Sequence, residues 1–186
     1  MDAADPCVQG SIFLYAPAAA RIRFQSFARS FLKEGDFMKR IYVNEKWCLG
    51  CHLCEYECAF ANSGLDDIVK ALKGKPVYPR VTVEDCGEVH FAVNCRHCSD
   101  AVCVRSCISG ALSKGDDGVV RIDREKCVGC LTCVLVCPYG AVMPAPDGHA
   151  AMKCQLCTDN GFGEPNCVKH CPNNAIVFEE RAEVRA

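Results

Sequence analysis

Several features that would assign this chain quickly are missing from it. No apolar run approaches the roughly 18 residues that a membrane-spanning helix needs. Neither sign of charge predominates: 21 Lys and Arg stand against 23 Asp and Glu, a formal net charge of −2. That balance supplies no basic face in bulk, so nucleic-acid binding has no electrostatic support. A secretory signal is also missing. The apolar residues 12–20 are followed, not preceded, by Arg21, Arg23 and Arg29, and a signal needs its positive charge first. Residues 29–33 carry one arginine where a twin-arginine signal carries two, with no apolar region behind them. The remaining composition, 50% hydrophobic and 24% charged over 186 residues, is that of an ordinary globular chain of one domain or two small ones.

Cysteine is what the chain has in excess: 18 residues, of which 16 fall into four groups of four. The groups are Cys48, Cys51, Cys54, Cys58; Cys95, Cys98, Cys103, Cys107; Cys127, Cys130, Cys133, Cys137; and Cys154, Cys157, Cys167, Cys171. Cys7 and Cys86 are left over. The third group reads C-x2-C-x2-C-x3-C and is followed by Pro138, the run used by bacterial ferredoxins. The first repeats it with Ala59 for the proline, and the second and fourth keep the CxxC opening and the CxxxC close around a longer middle. Three cysteines three apart on a tight loop can wrap three corners of a [4Fe-4S] cube. The fourth thiolate then comes from elsewhere, and in two-cluster ferredoxins it is the closing cysteine of the other run. That cysteine is expected at the start of a helix, and the groups are expected to work in pairs.

Other cysteine chemistries fit less well. A zinc site takes two CxxC hooks and four ligands in all, whereas the first and third groups put three ligands into one loop. Disulfides need an oxidising compartment and a signal to reach it. The CxxxCxxC of radical S-adenosylmethionine enzymes does not occur: three residues beyond the closing cysteines stand Ala61, Gly110, Gly140 and Asn174. Sixteen thiolates satisfy four cubes at four ligands each, leaving no open iron for a substrate. Electron transfer is therefore expected over catalysis, and a zinc-stabilised interaction module is the alternative from another class.

Along the chain an internal repeat follows three closing cysteines: Cys107-Ile108-Ser109-Gly110-Ala111-Leu112, Cys137-Pro138-Tyr139-Gly140-Ala141-Val142 and Cys171-Pro172-Asn173-Asn174-Ala175-Ile176. It predicts a short helix ending in a turn, with the aliphatic residue folded over a cluster. Residues 40–44 and 119–123 read as short strands leading into the first and third groups. Residues 59–94 are a longer connection, turn-rich at 73–79, with a hairpin over 80–93 centred on Asp85-Cys86-Gly87. Cys86 is expected there as an exposed, structurally idle residue. Residues 159–165 read as a loop at a cluster edge that could touch a partner. Residues 1–37 lack the pattern altogether. Lys33-Glu34-Gly35, encoded by AAR-GAR-GGN, can spell the ribosome-binding sequence AAGGAGG shortly before Met38, so 1–37 is expected to be a non-native or disordered leader.

From Met38 on, the run Lys39-Arg40-Ile41-Tyr42-Val43-Asn44-Glu45-Lys46-Trp47-Cys48-Leu49-Gly50-Cys51-His52-Leu53-Cys54, with Asn94-Cys95-Arg96-His97-Cys98, resembles the four-cluster ferredoxin-like electron-transfer subunits of oxidoreductase complexes. It is most similar to the iron-sulfur subunit beside carbon monoxide dehydrogenase and its relatives beside tungsten aldehyde oxidoreductases. The resemblance implies an α+β fold of two ferredoxin-like dicluster units with short strands, short helices and long cluster-binding loops. The outer unit would comprise 38–80 and 145–186, the inner 81–144. It implies four [4Fe-4S] clusters, held by Cys48, Cys51, Cys54 and Cys171; by Cys154, Cys157, Cys167 and Cys58; by Cys95, Cys98, Cys103 and Cys137; and by Cys127, Cys130, Cys133 and Cys107. The implied role is a non-catalytic, cytoplasmic, anaerobic subunit with four clusters in a row. It would relay single electrons between a catalytic subunit of carbon monoxide dehydrogenase, aldehyde oxidoreductase or formate dehydrogenase type and a flavin or nicotinamide reductase, a hydrogenase or a ferredoxin. A free polyferredoxin carrier is the runner-up.

Val128, Leu131, Val134, Leu135 and Val136 are expected to pack as core and keep water from a cluster. His52, His97 and His170 are expected to donate N–H to a sulfide or to be exposed, His90 and His149 carry no motif, and Trp47 is expected against the first loop. With about −2 for each oxidised cube and its four thiolates, the loaded protein would carry a formal charge of roughly −10.

Overall fold

The computed structural model describes residues 38–158 and 163–181. The expectations for the leader, for Cys7 and for positions 159–162 fall outside these residues. Strand β1 (Lys39–Val43) leads through a single 3-10 turn (Glu45–Trp47) to the first cysteine loop and helix α1 (Leu53–Ala61). Helix α2 (Ile68–Leu72) and the hairpin β2 (Thr82–Cys86) and β3 (Val89–Val93) follow. Then come α3 (Val102–Arg105), β4 (Leu112–Lys114), β5 (Val120–Ile122), α4 (Thr132–Val136), β6 (Val142–Pro144), β7 (Ala151–Lys153), α5 (Asn166–Lys169) and β8 (Ile176–Glu180). This is the expected α+β architecture of short strands and short helices between long loops.

The strands form antiparallel pairs β1–β8, β2–β3, β4–β5 and β6–β7. The β1–β8 pair sets Ile41 opposite Phe178 and Lys39 opposite Glu180. Two-stranded ribbons this short are not stable alone. They persist here because each packs its apolar side onto the cysteine loops: Ile41, Val81, Val83, Ala92, Val119, Ala141, Leu156 and Ile176 cluster with Cys54, Cys58, Cys95, Cys154 and Cys167. A smaller cluster joins Ala101, Leu112, Val120, Val142 and Ala151 to Cys133.

The three-fold repeat has a common structure. A helix of four or five residues runs up to the closing cysteine, and a left-handed residue turns the chain: Gly110 at φ 65°, Gly140 at 61° and Asn174 at 49°. The Ala-aliphatic pair that follows is buried, at 1% and 3% for Ala111 and Leu112 and at 2% and 4% for Ala175 and Ile176. The helix thus precedes the closing cysteine, which corrects its expected place at a helix start. It is Cys54, Cys103, Cys133 and Cys167, the third of each group, that occupy first turns.

The hairpin's tight turn is Gly87-Glu88, since Cys86 pairs with Val89 inside the ladder. Cys86 is half-buried, which corrects its expected exposure. The hairpin, placed by the sequence in the inner unit, packs against the first cysteine loop: Glu55 accepts from the Val83 N–H at 2.6 Å, and a Cβ on Gly50 would stand 2.7 Å from the His90 ring. With φ at +61°, Gly50 is fixed as glycine on both counts.

Candidate iron-sulfur site

Each CxxC opening turns on a left-handed residue just before its second cysteine: Gly50 (φ 61°), His97 (47°), Gly129 (71°) and Leu156 (58°). Alternating right- and left-handed backbone turns successive N–H groups inward, a concavity suited to anions. Left-handed His97 and Leu156 are strained for residues with side chains, and both are held by burial, at 0% and 5% exposure.

Thiols far apart in sequence meet. Cys48, Cys51 and Cys54 line one cavity with Cys171, and Cys154, Cys157 and Cys167 line a second with Cys58. Asn166 on α5 helps to lock the arrangement, donating to the Glu57 carbonyl at 3.2 Å and carboxylate at 2.9 Å on α1. In the middle of the chain, Cys103 lies within electrostatic reach of Cys95 and Cys137, and Cys133 within reach of Cys127 and Cys107. Cys130 also feels Cys107. Cys98 follows His97 in the second loop, whose carbonyls at Cys98 and Ser99 accept from Lys114 Nζ at 3.0 and 3.1 Å. Neighbouring sets lie within electrostatic reach as well, Cys167 of Cys54 and Cys154 of Cys95.

All sixteen grouped cysteines are free thiols. Burial pushes Cys54 up to about 12, helped by Glu55, Cys51 and Cys48, and pushes Cys154 to about 12 and Cys58 to about 11. Cys167 is raised well above the usual thiol range, burial again leading and its thiol neighbours adding. Protein donors work against burial at several sulfurs. The Arg80 N–H reaches Cys58 Sγ at 3.2 Å, the Leu156 N–H reaches Cys154 Sγ at 3.4 Å and the Thr132 hydroxyl reaches Cys130 Sγ at 3.5 Å. Thr132 holds Cys130 below the usual range. At Cys107 burial pushes upward, but the Leu112 N–H and the Ser109 hydroxyl outweigh it.

Among the described residues, His97 and Asn94 each bury a donor that meets no protein acceptor. His97 Nδ1 accepts from the Val120 N–H at 3.0 Å, which places the ring proton on Nε2, and that nitrogen is buried and unpaired. Burial and then the Lys153 charge press His97 down to about 3, so the ring is neutral. Asn94 Nδ2 is likewise unpaired, and Asn94 lines the cavity of Cys58, Cys154, Cys157 and Cys167. Orphaned donors beside thiol-lined space fit a sulfide-rich anionic group. Among the described residues no three His, Cys, Asp or Glu side chains form a group that could hold a single metal ion.

The other expectations divide. His52 contacts Glu55 at 3.0 Å and Asp85 at 3.5 Å, and His90, which has no sequence motif, meets Asp85 at 2.5 Å. His170 reaches the Asn166 carbonyl at 3.1 Å, and any side chain at Gly129 would run into the His149 carbonyl. Trp47 lines the cavity of Cys48, Cys51, Cys54 and Cys171 but is 55% exposed. Val128 and Leu135 are 59% and 85% exposed, so neither is core or shields a site; Leu131 and Val134 pack against the smaller core.

A ferredoxin-like α+β frame that presents free thiols in fours defines an iron-sulfur, electron-transfer protein. Residues 88–181 match the 4Fe-4S dicluster domain family, and the chain belongs to it. It is 35% identical over 156 residues to the electron transport protein HydN of Escherichia coli (strain K12), covering 76% of this chain and 87% of that one. It is 32% identical over 142 residues to the thiosulfate reductase electron transfer subunit PhsB of Salmonella typhi, covering 73% and 72%. It is 39% identical over 143 residues to AegA of Escherichia coli (strain K12), but spans only 21% of that longer protein. Among the described residues no helix is long and apolar enough to cross a membrane.

Proposed function

We propose that the sixteen cysteines hold four [4Fe-4S] clusters in a row and that the protein is a non-catalytic relay for single electrons in a cytoplasmic oxidoreductase complex. The observation that carries this reading is the crossing of the closing cysteines: Cys171 joins the first group's cavity and Cys58 the fourth's. The same exchange in the middle of the chain is supported by the proximity of Cys137 to Cys103 and of Cys107 to Cys133. The electrostatic proximity of Cys54 to Cys167 and of Cys154 to Cys95 supports an order running from the Cys48 set through the Cys154 and Cys95 sets to the Cys127 set.

When bound, each cluster supplies a reversible one-electron couple. The chain fixes the ligand thiolates, excludes water around the buried sulfurs and tunes the couple through N–H and O–H donors at Cys58, Cys154, Cys107 and Cys130. Outer and inner units of two sets each are supported by the β1–β8 pairing and the Asn166–Glu57 contacts. Three thiols from one loop joined by a fourth from a distant group favour a cube over a zinc ion built on two CxxC hooks.

The partner on this reading is a catalytic subunit of carbon monoxide dehydrogenase, tungsten aldehyde oxidoreductase or formate dehydrogenase type, with a flavin or nicotinamide reductase, a hydrogenase or a ferredoxin at the other end. The sequence resemblance supports it, and PhsB, whose name pairs it with a reductase, supports the wider class. Iron and sulfide analysis of anaerobically purified protein, with electron paramagnetic resonance after stepwise reduction, tests the relay. About sixteen iron per chain and four one-electron couples are expected. Eight iron, or zinc, overturns the reading. A native extract in which the chain runs alone as a monomer overturns the complex and leaves a free carrier.

A further inference from the structure

Lys153 closes β7 and is fully buried, at 0% exposure. An ammonium inside a protein is costly unless its surroundings compensate it. Its Nζ donates to the Val120 carbonyl on β5 and to the Cys154 carbonyl at 2.6 Å. Two carbonyls offer only partial charges, and among the described residues no carboxylate forms an ion pair with it.

What does surround Lys153 is sulfur from two different sets. Cys154, its neighbour in the chain, belongs to the set with Cys58, Cys157 and Cys167. On the other side, Val120 ties Lys153 to His97: this one residue accepts from Lys153 at its carbonyl and donates to His97 at its N–H. His97 stands between Cys95 and Cys98. Burial raises both Cys154 and Cys103, and the Lys153 charge pulls each of them back. The cation therefore sits where the outer and inner sets adjoin.

We propose that Lys153 is a positioning residue for electron transfer: an internal cation between the two central clusters that raises the reduction potential of both. The inference rests on the four-cluster reading above. An electron added on either side of the junction increases negative charge beside Lys153, and in a low-dielectric interior a fixed positive charge stabilises that form. It also offsets the repulsion between two adjacent anionic sites, which would otherwise oppose the central step of the relay. Lys153 forms no bond to either cluster; one electron arrives and one electron leaves.

The test is a potentiometric titration of the anaerobically purified holoprotein followed by electron paramagnetic resonance, with Lys153→Met, Lys153→Gln and Lys153→Arg beside the unaltered chain. The unaltered protein comes first, because iron analysis and four couples there decide the four-cluster reading independently of Lys153. With that established, Lys153→Gln and Lys153→Met are each expected to lower two of the four potentials by about tenfold in the one-electron equilibrium, equivalent to 59 mV. The other two couples move less, and Lys153→Arg retains the original values. Glutamine keeps an N–H donor for the carbonyls and loses only the charge, so it separates charge from packing. Original potentials in Lys153→Gln, or an equal shift of all four couples, overturn the proposal. A glutamine variant that loads no iron at the central pair assigns Lys153 a structural role and overturns it as well.

Discussion

Of the eight thiols in the first and fourth groups, Cys54, Cys58, Cys154 and Cys167 are buried and Cys51 alone is exposed; of the eight in the second and third groups, only Cys95 and Cys133 are buried. Both regions use the same loop, with a left-handed residue before the second cysteine and a helix beginning at the third. Their closures differ. The outer loops are covered by the five-residue β1–β8 pair, by α1 against α5 and by the β2–β3 hairpin. The inner ones have the three-residue pairs β4–β5 and β6–β7, and their flanking side chains Ile108, Val128 and Leu135 point to solvent, at 76%, 59% and 85% exposure. A common ligand motif thus sets the chemistry, while the length of the strands around it sets the shelter. Solvent and hydrogen bonds to sulfur both raise cluster potentials. The two regions differ in donor as well: Cys130 and Cys107 of the inner groups meet the hydroxyls of Thr132 and Ser109, and Cys58 and Cys154 of the outer groups take the backbone N–H of Arg80 and Leu156.

The strongest way to break this contrast is to remove the iron. Complete chelation should abolish the cooperative fold of both regions, read by near-ultraviolet circular dichroism, because the described cores are built on cysteine. Under partial chelation the inner couples should disappear several-fold faster than the outer ones. Equal rates would show that thiol burial does not govern access.

Next in size is the exchange of closing ligands. Cys58→Ser should cost about four iron per chain and damage the set of Cys154, Cys157 and Cys167, leaving Cys48, Cys51 and Cys54 loaded. Cys107→Ser should do the same to Cys127, Cys130 and Cys133. Resonance spectra that show damage in each serine's own group would refute the crossing.

A smaller effect is expected from the cores. Ile41→Ala at 2% exposure and Leu112→Ala at 3% should each destabilise by about 2–5 kcal/mol. Denaturant titration followed by visible absorbance should show Ile41→Ala releasing the outer couples first and Leu112→Ala the inner ones.

The smallest expected effect lies at the β4–β5 turn. Arg121 bonds Asp117 at 2.9 Å and holds its carboxyl at about 2, below its usual 3.8. A lowered carboxyl stabilises the fold above pH 3.8, and that contribution disappears as pH falls through about 2. The pair is exposed, so Asp117→Asn should cost well under about 1 kcal/mol at neutral pH and flatten the acid limb of a thermal melt.

Much of this was legible locally. Residues 40–44 and 119–123 lie within one residue of β1 and β5, the 80–93 hairpin forms, and the Gly/Asn-Ala-aliphatic repeat marks three turns into strands. These signals are short-range, set by alternation, glycine and cysteine spacing. Lys153 gave no signal, because a lysine before a CxxC looks solvated until β5 and the second loop close over it. The Glu55–His52–Asp85–His90 chain was hidden for the same reason: it joins a loop to a hairpin about thirty residues on. Leu135 misled in the opposite sense, since an aliphatic residue inside a cysteine run reads as core although it faces outward from a helix of five residues.

The pairing of β1 with β8 also imposes a timetable. During synthesis, residues 95–153 emerge with both of the middle cysteine groups and with the β4–β5 and β6–β7 pairs that close them, before the last cysteine group and β8 are complete. Cys48, Cys51, Cys54 and Cys58 have been made by then, but they must wait for Cys154, Cys157, Cys167 and Cys171 and for Ile176–Glu180 before β1 has its partner. For most of translation the earliest cysteines are therefore the least protected, and a holding chaperone or iron-delivery factor has most to do at the first loop made and the last one completed.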